Sequence, residues 1–173
     1  MRELADSERI LKLIDHLGAR APSGSRVYLV GGTTAVLLGW RQSTIDVDLV
    51  LIPESDEAFR AIAELKEVLQ VNVELASPLD FIPVAAGWEE RGLYVTETGG
   101  VSFYHFDLEA QALAKAERGH EQDLSDVEAM LAAGLITADA VRRRFEQIEP
   151  ELFRFPAVDA AVFRRSVEKL FAI

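Results

Sequence analysis

Residues 26–52 constrain the fold of this chain more than any other segment, because they combine two strand patterns with a glycine turn and a helix. An apolar run at residues 26–30 leads directly into Gly31-Gly32, and a helix-like stretch follows at residues 35–38. The run at residues 45–52 alternates carboxylate and apolar residues before it becomes wholly apolar. Because glycine allows a tight turn between a strand and a helix, this order predicts an α/β core.

The rest of the chain adds elements on both sides of this core. Periodicity and turn residues predict a helix at 3–17, which Gly18 together with Pro22, Ser23 and Gly24 ends. They also predict a helix at 56–69 capped by Ser55, a strand at 71–75 and a hairpin at 91–106 around Gly99-Gly100. Beyond Asp107 the pattern is helical. We predict one α/β (α+β) domain over residues 1–173, with a mixed sheet flanked by helices at 1–106 and a helical C-terminal part at 107–173.

The amino-acid composition excludes several kinds of functional site. The chain has no cysteine, which excludes a disulfide framework, a thiolate zinc site and a cysteine nucleophile, so any metal must bind carboxylates or histidines. A net charge of -11, from 29 acidic and 18 basic residues, argues against strong nonspecific binding to nucleic acid without excluding a nucleic-acid substrate. No apolar run reaches the roughly 20 residues of a membrane span, and the acidic N-terminal segment is unlike a secretory signal. We expect a cytoplasmic protein without a membrane partner.

Asp46 and Asp48 are candidate metal ligands. Side chains two residues apart on a strand point to the same face, so the two carboxylates lie side by side while Val47 and Leu49 face the core. A hard cation such as Mg²⁺ takes oxygen ligands and would relieve the repulsion between the two acids. The alternative is a pair of solvated residues at the edge of the sheet.

Gly31-Gly32 is a candidate phosphate-binding turn. Glycine lets the backbone approach an anion, and the hydroxyls of Thr33 and Thr34 can either bind the same phosphate or cap the helix. The alternative is a tight turn that needs glycine only for its backbone conformation. The dinucleotide fingerprint G-x-G-x-x-G and the phosphate loop G-x-x-x-x-G-K-[ST] are both absent, so neither a dehydrogenase nor a P-loop enzyme is indicated.

Taken together, Val30-Gly31-Gly32, thirteen intervening residues and Asp46-Val47-Asp48-Leu49 resemble the DNA polymerase β-like nucleotidyltransferase superfamily. Residues 73–83 and 107–115 look like the bacterial branch of uncharacterised nucleotidyltransferases related to the AbiEii toxins. This resemblance implies a nucleotidyltransferase-like fold, Mg²⁺ or Mn²⁺ on Asp46 and Asp48, and a nucleoside triphosphate such as ATP. The acceptor it implies is an RNA such as tRNA, a protein or a small molecule, and a cognate antitoxin or toxin is a further expected partner.

The resemblance also implies further site residues. A third carboxylate on a neighbouring strand corresponds to Glu74, with Asp80 as the alternative, and it would bind the metal or act as a base. A lysine and a downstream aspartate correspond to Lys115 and to Asp123 or Asp126. Arg118 lies one helical turn beyond that lysine and would assist it.

Other interpretations of these residues stay open at this point. A domain of the same fold could bind a nucleotide or a partner protein without catalysis, and the same carboxylates could activate water in a hydrolase. His105 and Asp107 are two residues apart at the end of a predicted strand and could also bind a metal, although a structural role is the more common one for such a pair.

Overall fold

The computed structural model describes residues 2–172, which form two compact units. The first unit contains the chain up to Ser77 together with Gly92–His105, and the second contains Pro78–Arg91 and the residues from Phe106 onward. The prediction of a mixed α/β protein with C-terminal helices is confirmed. That the chain forms a single domain stays a prediction.

The first unit is built on a five-stranded mixed sheet. Its elements in chain order are β1 (Ala5–Asp6), α1 (Ser7–Arg20), β2 (Arg26–Val30), α2 (Gly32–Leu38), β3 (Ser43–Thr44), β4 (Asp46–Ile52), α3 (Asp56–Val68), β5 (Asn72–Glu74), β6 (Leu93–Thr98) and β7 (Val101–His105). The strand order is β5-β4-β2-β7-β6, in which β2 is antiparallel to β4 and parallel to β7. β4 and β5 are parallel, and β6 and β7 form the predicted hairpin.

One face of this sheet carries the hydrophobic core. Alternate strand residues pack there with the apolar faces of α1 and α3; the buried side chains include Ile10, Leu13, Leu17, Val27, Leu29, Val47, Leu49, Leu51, Ile62, Leu65, Val73, Val101 and Phe103. The period of two along each strand sends the intervening side chains to the other face. The polar residues of β4 and β5 therefore share that second face.

The prediction for the N-terminal helix is wrong at both ends. Residues 5–6 form β1, which pairs with β3, and the helix begins only at Ser7, where the Asp6 carboxylate accepts a hydrogen bond from the Arg9 N–H. The helix also continues through Gly18 to Arg20. A Cβ on Gly18 would collide with Thr98, so this glycine permits close helix–strand packing instead of ending the helix.

The second unit is helical. Besides a 3-10 turn at Pro78–Asp80, it contains α4 (Leu108–Arg118), α5 (Glu121–Ala132), α6 (Ala138–Ile148), a 3-10 segment at Glu149–Arg154 and α7 (Ala160–Leu170). α4 is the central helix, since α5, α6 and α7 all pack against it. Within residues 2–172 we find no helix that is both long and apolar enough to cross a membrane.

Candidate functional site

The two acids of β4 lie on the face of the sheet opposite the core. Asp46 and Asp48 are half-buried, whereas Val47 and Leu49 are fully buried among the core residues. This is the arrangement that strand periodicity predicts. Two carboxylates of one strand therefore lie next to each other at the N-terminal end of β4.

The glycine turn lies beside these acids. In the antiparallel pairing of β2 and β4, Val30 is the partner of Asp48, and Gly31 is the next residue of the chain. Gly31 has a φ of 64°, which side-chain-bearing residues rarely adopt, and a Cβ built on it would lie 3.4 Å from Asp48 Oδ2. Gly32, by contrast, has no room for a side chain, because a Cβ would collide with Thr44 and lie 3.1 Å from an Arg41 nitrogen. Strand pairing thus brings together two motifs that are separated in the sequence.

The two threonines after the turn have different surroundings. α2 begins at Gly32 with Gly31 as its N-cap, so the prediction that a threonine caps this helix is wrong. The Thr34 hydroxyl donates to the Leu29 carbonyl at 3.2 Å and lies 2.9 Å from His105 Nδ1. Thr33 is completely buried, and its hydroxyl has no hydrogen-bond partner among residues 2–172. Its role as a nucleotide ligand stays a prediction.

β5 brings an acid and an amide next to the β4 pair. The parallel register sets Asn72 beside Asp46 and Glu74 beside Asp48. Asn72 Nδ2 lies 2.5 Å from Asp46 Oδ1 and 3.2 Å from Glu74 Oε1, and the Glu74 side chain is exposed. Sequence reasoning singled out Glu74 but missed Asn72, although strand alternation places the two on the same face.

The donor set at this position fits a hard divalent cation. Mg²⁺ is commonly bound by one or two carboxylates and completes its coordination with water and substrate phosphates, and Asp46 with Asp48 supplies such a pair. In the part of the chain that the structure describes, no three histidine, cysteine, aspartate or glutamate side chains come close enough together to form a metal site by themselves. Glu74 as a third ligand therefore stays a prediction. Asp80, the alternative, is an exposed residue of the 3-10 turn in the second unit.

Lys115 lies in a buried ion cluster between α4 and α5. Its ammonium group is 2.7 Å from Asp126 Oδ2 and 3.7 Å from Asp123 Oδ1. The Arg118 guanidinium holds Asp123 through two hydrogen bonds, of 2.7 Å and 2.5 Å. The four formal charges sum to zero, which offsets the cost of burying Lys115, Asp123 and Asp126. The structure thus brings together all four residues that the resemblance singled out in the helical part, and it buries every one except Arg118.

The pKa of Asp123 reflects opposing influences. Burial by itself raises it, but the hydrogen bonds and charge of Arg118, the charge of Lys115 and the His120 N–H lower it, and the net result is a pKa below the ordinary value of 3.8. Asp123 is therefore ionised at neutral pH. The cluster is built from charged groups that stabilise one another.

His105 and Asp107 each have their own structural partners. His105 is buried against Thr34, and burial lowers its pKa from 6.5 to about 4, so the ring is neutral at pH 7. Asp107 belongs to the second unit, where it caps α4 through the Glu109 N–H and pairs with Arg91 at 2.8 Å. The structural interpretation of this pair holds in the described part of the chain.

Comparison with known proteins assigns the chain to the nucleotidyltransferases. A family model described as "Nucleotidyltransferase of unknown function (DUF6036)" matches residues 8–159, and the chain belongs to this family. The matched range contains the glycine turn, the acids of β4, Glu74 and the ion cluster of Lys115. No curated protein and no solved structure matches the chain. The relation to the AbiEii branch stays a prediction.

Proposed function

We propose that this protein is a metal-dependent nucleotidyltransferase that transfers a nucleoside monophosphate from a nucleoside triphosphate to a hydroxyl group. The observation that carries the proposal is the proximity of the two motifs: a Cβ built on Gly31 would lie 3.4 Å from Asp48 Oδ2, so the glycine turn lies beside the acid. Such an enzyme needs a turn whose backbone can approach a phosphate and a pair of cation ligands, and here the glycine turn and the acid pair are neighbours. Membership in a nucleotidyltransferase family supports the same conclusion.

Each residue of the site has a distinct task in this proposal. Gly31 and Gly32 would present backbone to the triphosphate, although Thr44 already occupies the space beside Gly32 that a side chain would fill. Asp46 and Asp48 would hold Mg²⁺ or Mn²⁺, which when bound neutralises phosphate charge and favours departure of pyrophosphate. Glu74 lies on the neighbouring strand, at the level of Asp48, where it would accept a proton from the acceptor hydroxyl or help to bind the metal.

The proposed reaction is a single in-line displacement. The acceptor oxygen forms a bond to the α-phosphorus, the bond from that phosphorus to the β-phosphate oxygen breaks, and pyrophosphate leaves with the electron pair. The hydroxyl proton passes to a carboxylate or to solvent. Such a transfer needs positioning and charge neutralisation more than covalent participation by the protein, so a small set of acids and a glycine turn is sufficient.

The resemblance to the AbiEii branch supports finer proposals about the partners. These are ATP or another nucleoside triphosphate as donor, tRNA or a protein as acceptor, and a cognate antitoxin or toxin as binding partner. Lys115 would contribute to nucleotide binding only after its ammonium group exchanged Asp126 for a phosphate.

The proposal is tested with labelled nucleotides. The purified protein is incubated with each labelled NTP and Mg²⁺, in the presence of tRNA or of cell extract, and label in macromolecules is measured. We expect transfer by the wild-type protein and its loss in the isosteric variants Asp46→Asn and Asp48→Asn. Asp15→Asn, which neutralises an exposed acid on α1, is the matched control and should retain activity. Equal transfer by all four proteins, or none by the wild type, contradicts the proposal.

Calorimetry and analysis of the labelled products separate the rival functions. Calorimetry that finds NTP affinity without any dependence on Mg²⁺ would favour a non-catalytic nucleotide-binding module. Free nucleoside monophosphate or diphosphate as the only labelled product would favour a hydrolase.

A further inference from the structure

Asn72 occupies a central position among the acids of the candidate site. Its amide nitrogen contacts Asp46 Oδ1 and Glu74 Oε1, so one side chain touches carboxylates from two different strands. An asparagine amide has two N–H donors, which is the number that these two oxygens require. Because both oxygens contact the same nitrogen, the amide of Asn72 bridges the two carboxylates and holds them close together.

Arg2 fixes the orientation of this amide through a hydrogen bond to its oxygen. Arg2 donates from Nη1 to Asn72 Oδ1 at 3.1 Å, and its Nη2 forms an ion pair with Glu67 at 2.6 Å. An oxygen that accepts from a guanidinium must face it, and the nitrogen of the same amide must then face the acids. The chain of contacts from Glu67 through Arg2 therefore determines which end of Asn72 points toward Asp46.

We propose that Asn72 is a positioning residue of the nucleotidyltransferase site, which sets the orientation of Asp46 and Glu74 toward a divalent cation. The inference rests on the proposed function, and it deepens it by adding a residue outside the acid pair. Uncompensated carboxylates this close together would repel and turn toward solvent. The amide donors offset that repulsion, so the acids keep one arrangement without a cation and need little rearrangement to bind one.

The inference predicts opposite effects for two substitutions. Asn72→Ala removes both donors, and loss of such a supporting hydrogen bond weakens metal binding by about 10-fold to 100-fold. Asn72→Asp keeps the shape and the contact with Arg2 but presents a third carboxylate oxygen to the acids. That variant should be less stable without metal and should respond to lower concentrations of Mg²⁺ than the wild type.

The readout is the dependence of the melting temperature of the full chain on MgCl₂ concentration, which requires no knowledge of the acceptor. We expect the half-saturating concentration to rise about 10-fold to 100-fold in Asn72→Ala and to fall in Asn72→Asp. Arg2→Met, which allows the Asn72 amide to rotate, should raise the half-saturating concentration, as Asn72→Ala does. Gln122→Glu and Arg60→Met make the matching charge changes at exposed helical positions and should leave it unchanged.

The possible results distinguish this inference from the proposed function. If the wild type shows no stabilisation by Mg²⁺, both are overturned. If the wild type responds and Asp46→Asn does not, while Asn72→Ala and Asn72→Asp respond like the wild type, only the role of Asn72 is overturned. Opposite shifts in the two Asn72 variants support the positioning role. A residue that merely stabilises β5 would not raise the half-saturating MgCl₂ concentration in one variant and lower it in the other. Asn72→Asp and Arg2→Met keep the test available if Asn72→Ala does not fold.

Discussion

The buried His105 provides a test of the structure through pH. The Thr34 hydroxyl donates to the Leu29 carbonyl, so it accepts from the Nδ1–H of His105, and the neutral ring carries its proton on Nδ1. Burial lowers the pKa of His105 from 6.5 to about 4 because a charged ring would be poorly solvated there. The unfolded chain therefore binds a proton at this residue more tightly than the folded chain does.

The sign and size of the effect follow from this difference. The contribution of the buried neutral histidine to the free energy of unfolding is fully present above pH 6.5. It is lost as the pH falls through 6.5 toward about 4, because the unfolded chain binds the proton first. Each pKa unit corresponds to about 1.36 kcal/mol, so the loss amounts to about 3 kcal/mol. This is a large fraction of the 5–15 kcal/mol that is typical of a folded protein.

The measurement is urea unfolding of the wild type and of His105→Asn at intervals from pH 7.5 to pH 4, at constant ionic strength. Asparagine can keep the hydrogen bond to Thr34 but does not titrate in this range. We expect the free energy of unfolding of the wild type to fall by about 3 kcal/mol more than that of the variant over this interval. His16→Asn, made at an exposed histidine of α1, should keep the wild-type loss. Equal losses in the wild type and in His105→Asn would refute the reasoning.

Three further substitutions test individual features of the site by urea unfolding at pH 7, with NTP affinity by calorimetry as a second readout. Thr33→Val removes a buried hydroxyl without a partner in the described residues and should raise the free energy of unfolding by about 1 kcal/mol; a decrease would contradict the burial, and weaker NTP binding would reveal a ligand role. Gly31→Ala forces alanine to a φ of 64° and a ψ of -127°, a backbone region that is nearly restricted to glycine, and should cost about 1–3 kcal/mol and weaken NTP binding, whereas unchanged stability would contradict the turn geometry. Lys115→Met leaves Asp126 buried without this cation and should lower the free energy of unfolding by about 3–5 kcal/mol. The double variant with Asp126→Leu should recover most of this loss. Lys12→Met, at an exposed ion pair, should lower the free energy of unfolding by less than about 1 kcal/mol. If the double variant recovers stability but not NTP affinity, Lys115 binds the nucleotide; if it recovers neither, the buried ion pair is not the origin of the loss.

Local signals in the sequence were sufficient for most elements of the fold. Ser55 caps α3 as predicted, with its hydroxyl 3.1 Å from the Ala58 N–H, and Gly99-Gly100 forms the turn of the hairpin. The alternation along β4 predicts that Asp46 and Asp48 share one face. Each of these features depends on residues that are close together in the chain, so propensity and periodicity determine them.

Only the tertiary structure decides the features that depend on distant residues. Gly18 was expected to end a helix, but its role comes from close packing against Thr98. The contact of Asn72 with Asp46 and the burial of Lys115 against Asp126 join residues 26 and 11 positions apart, respectively.

The sequence by itself determined the order of the elements, the shared face of the two acids and the kind of chemistry they favour. The tertiary structure decided that Gly31 lies beside Asp48 and that Asn72 contacts acids of two strands. The physical reason is that strand register and helix packing are selected by burial of the whole core, to which residues far apart in the chain contribute together.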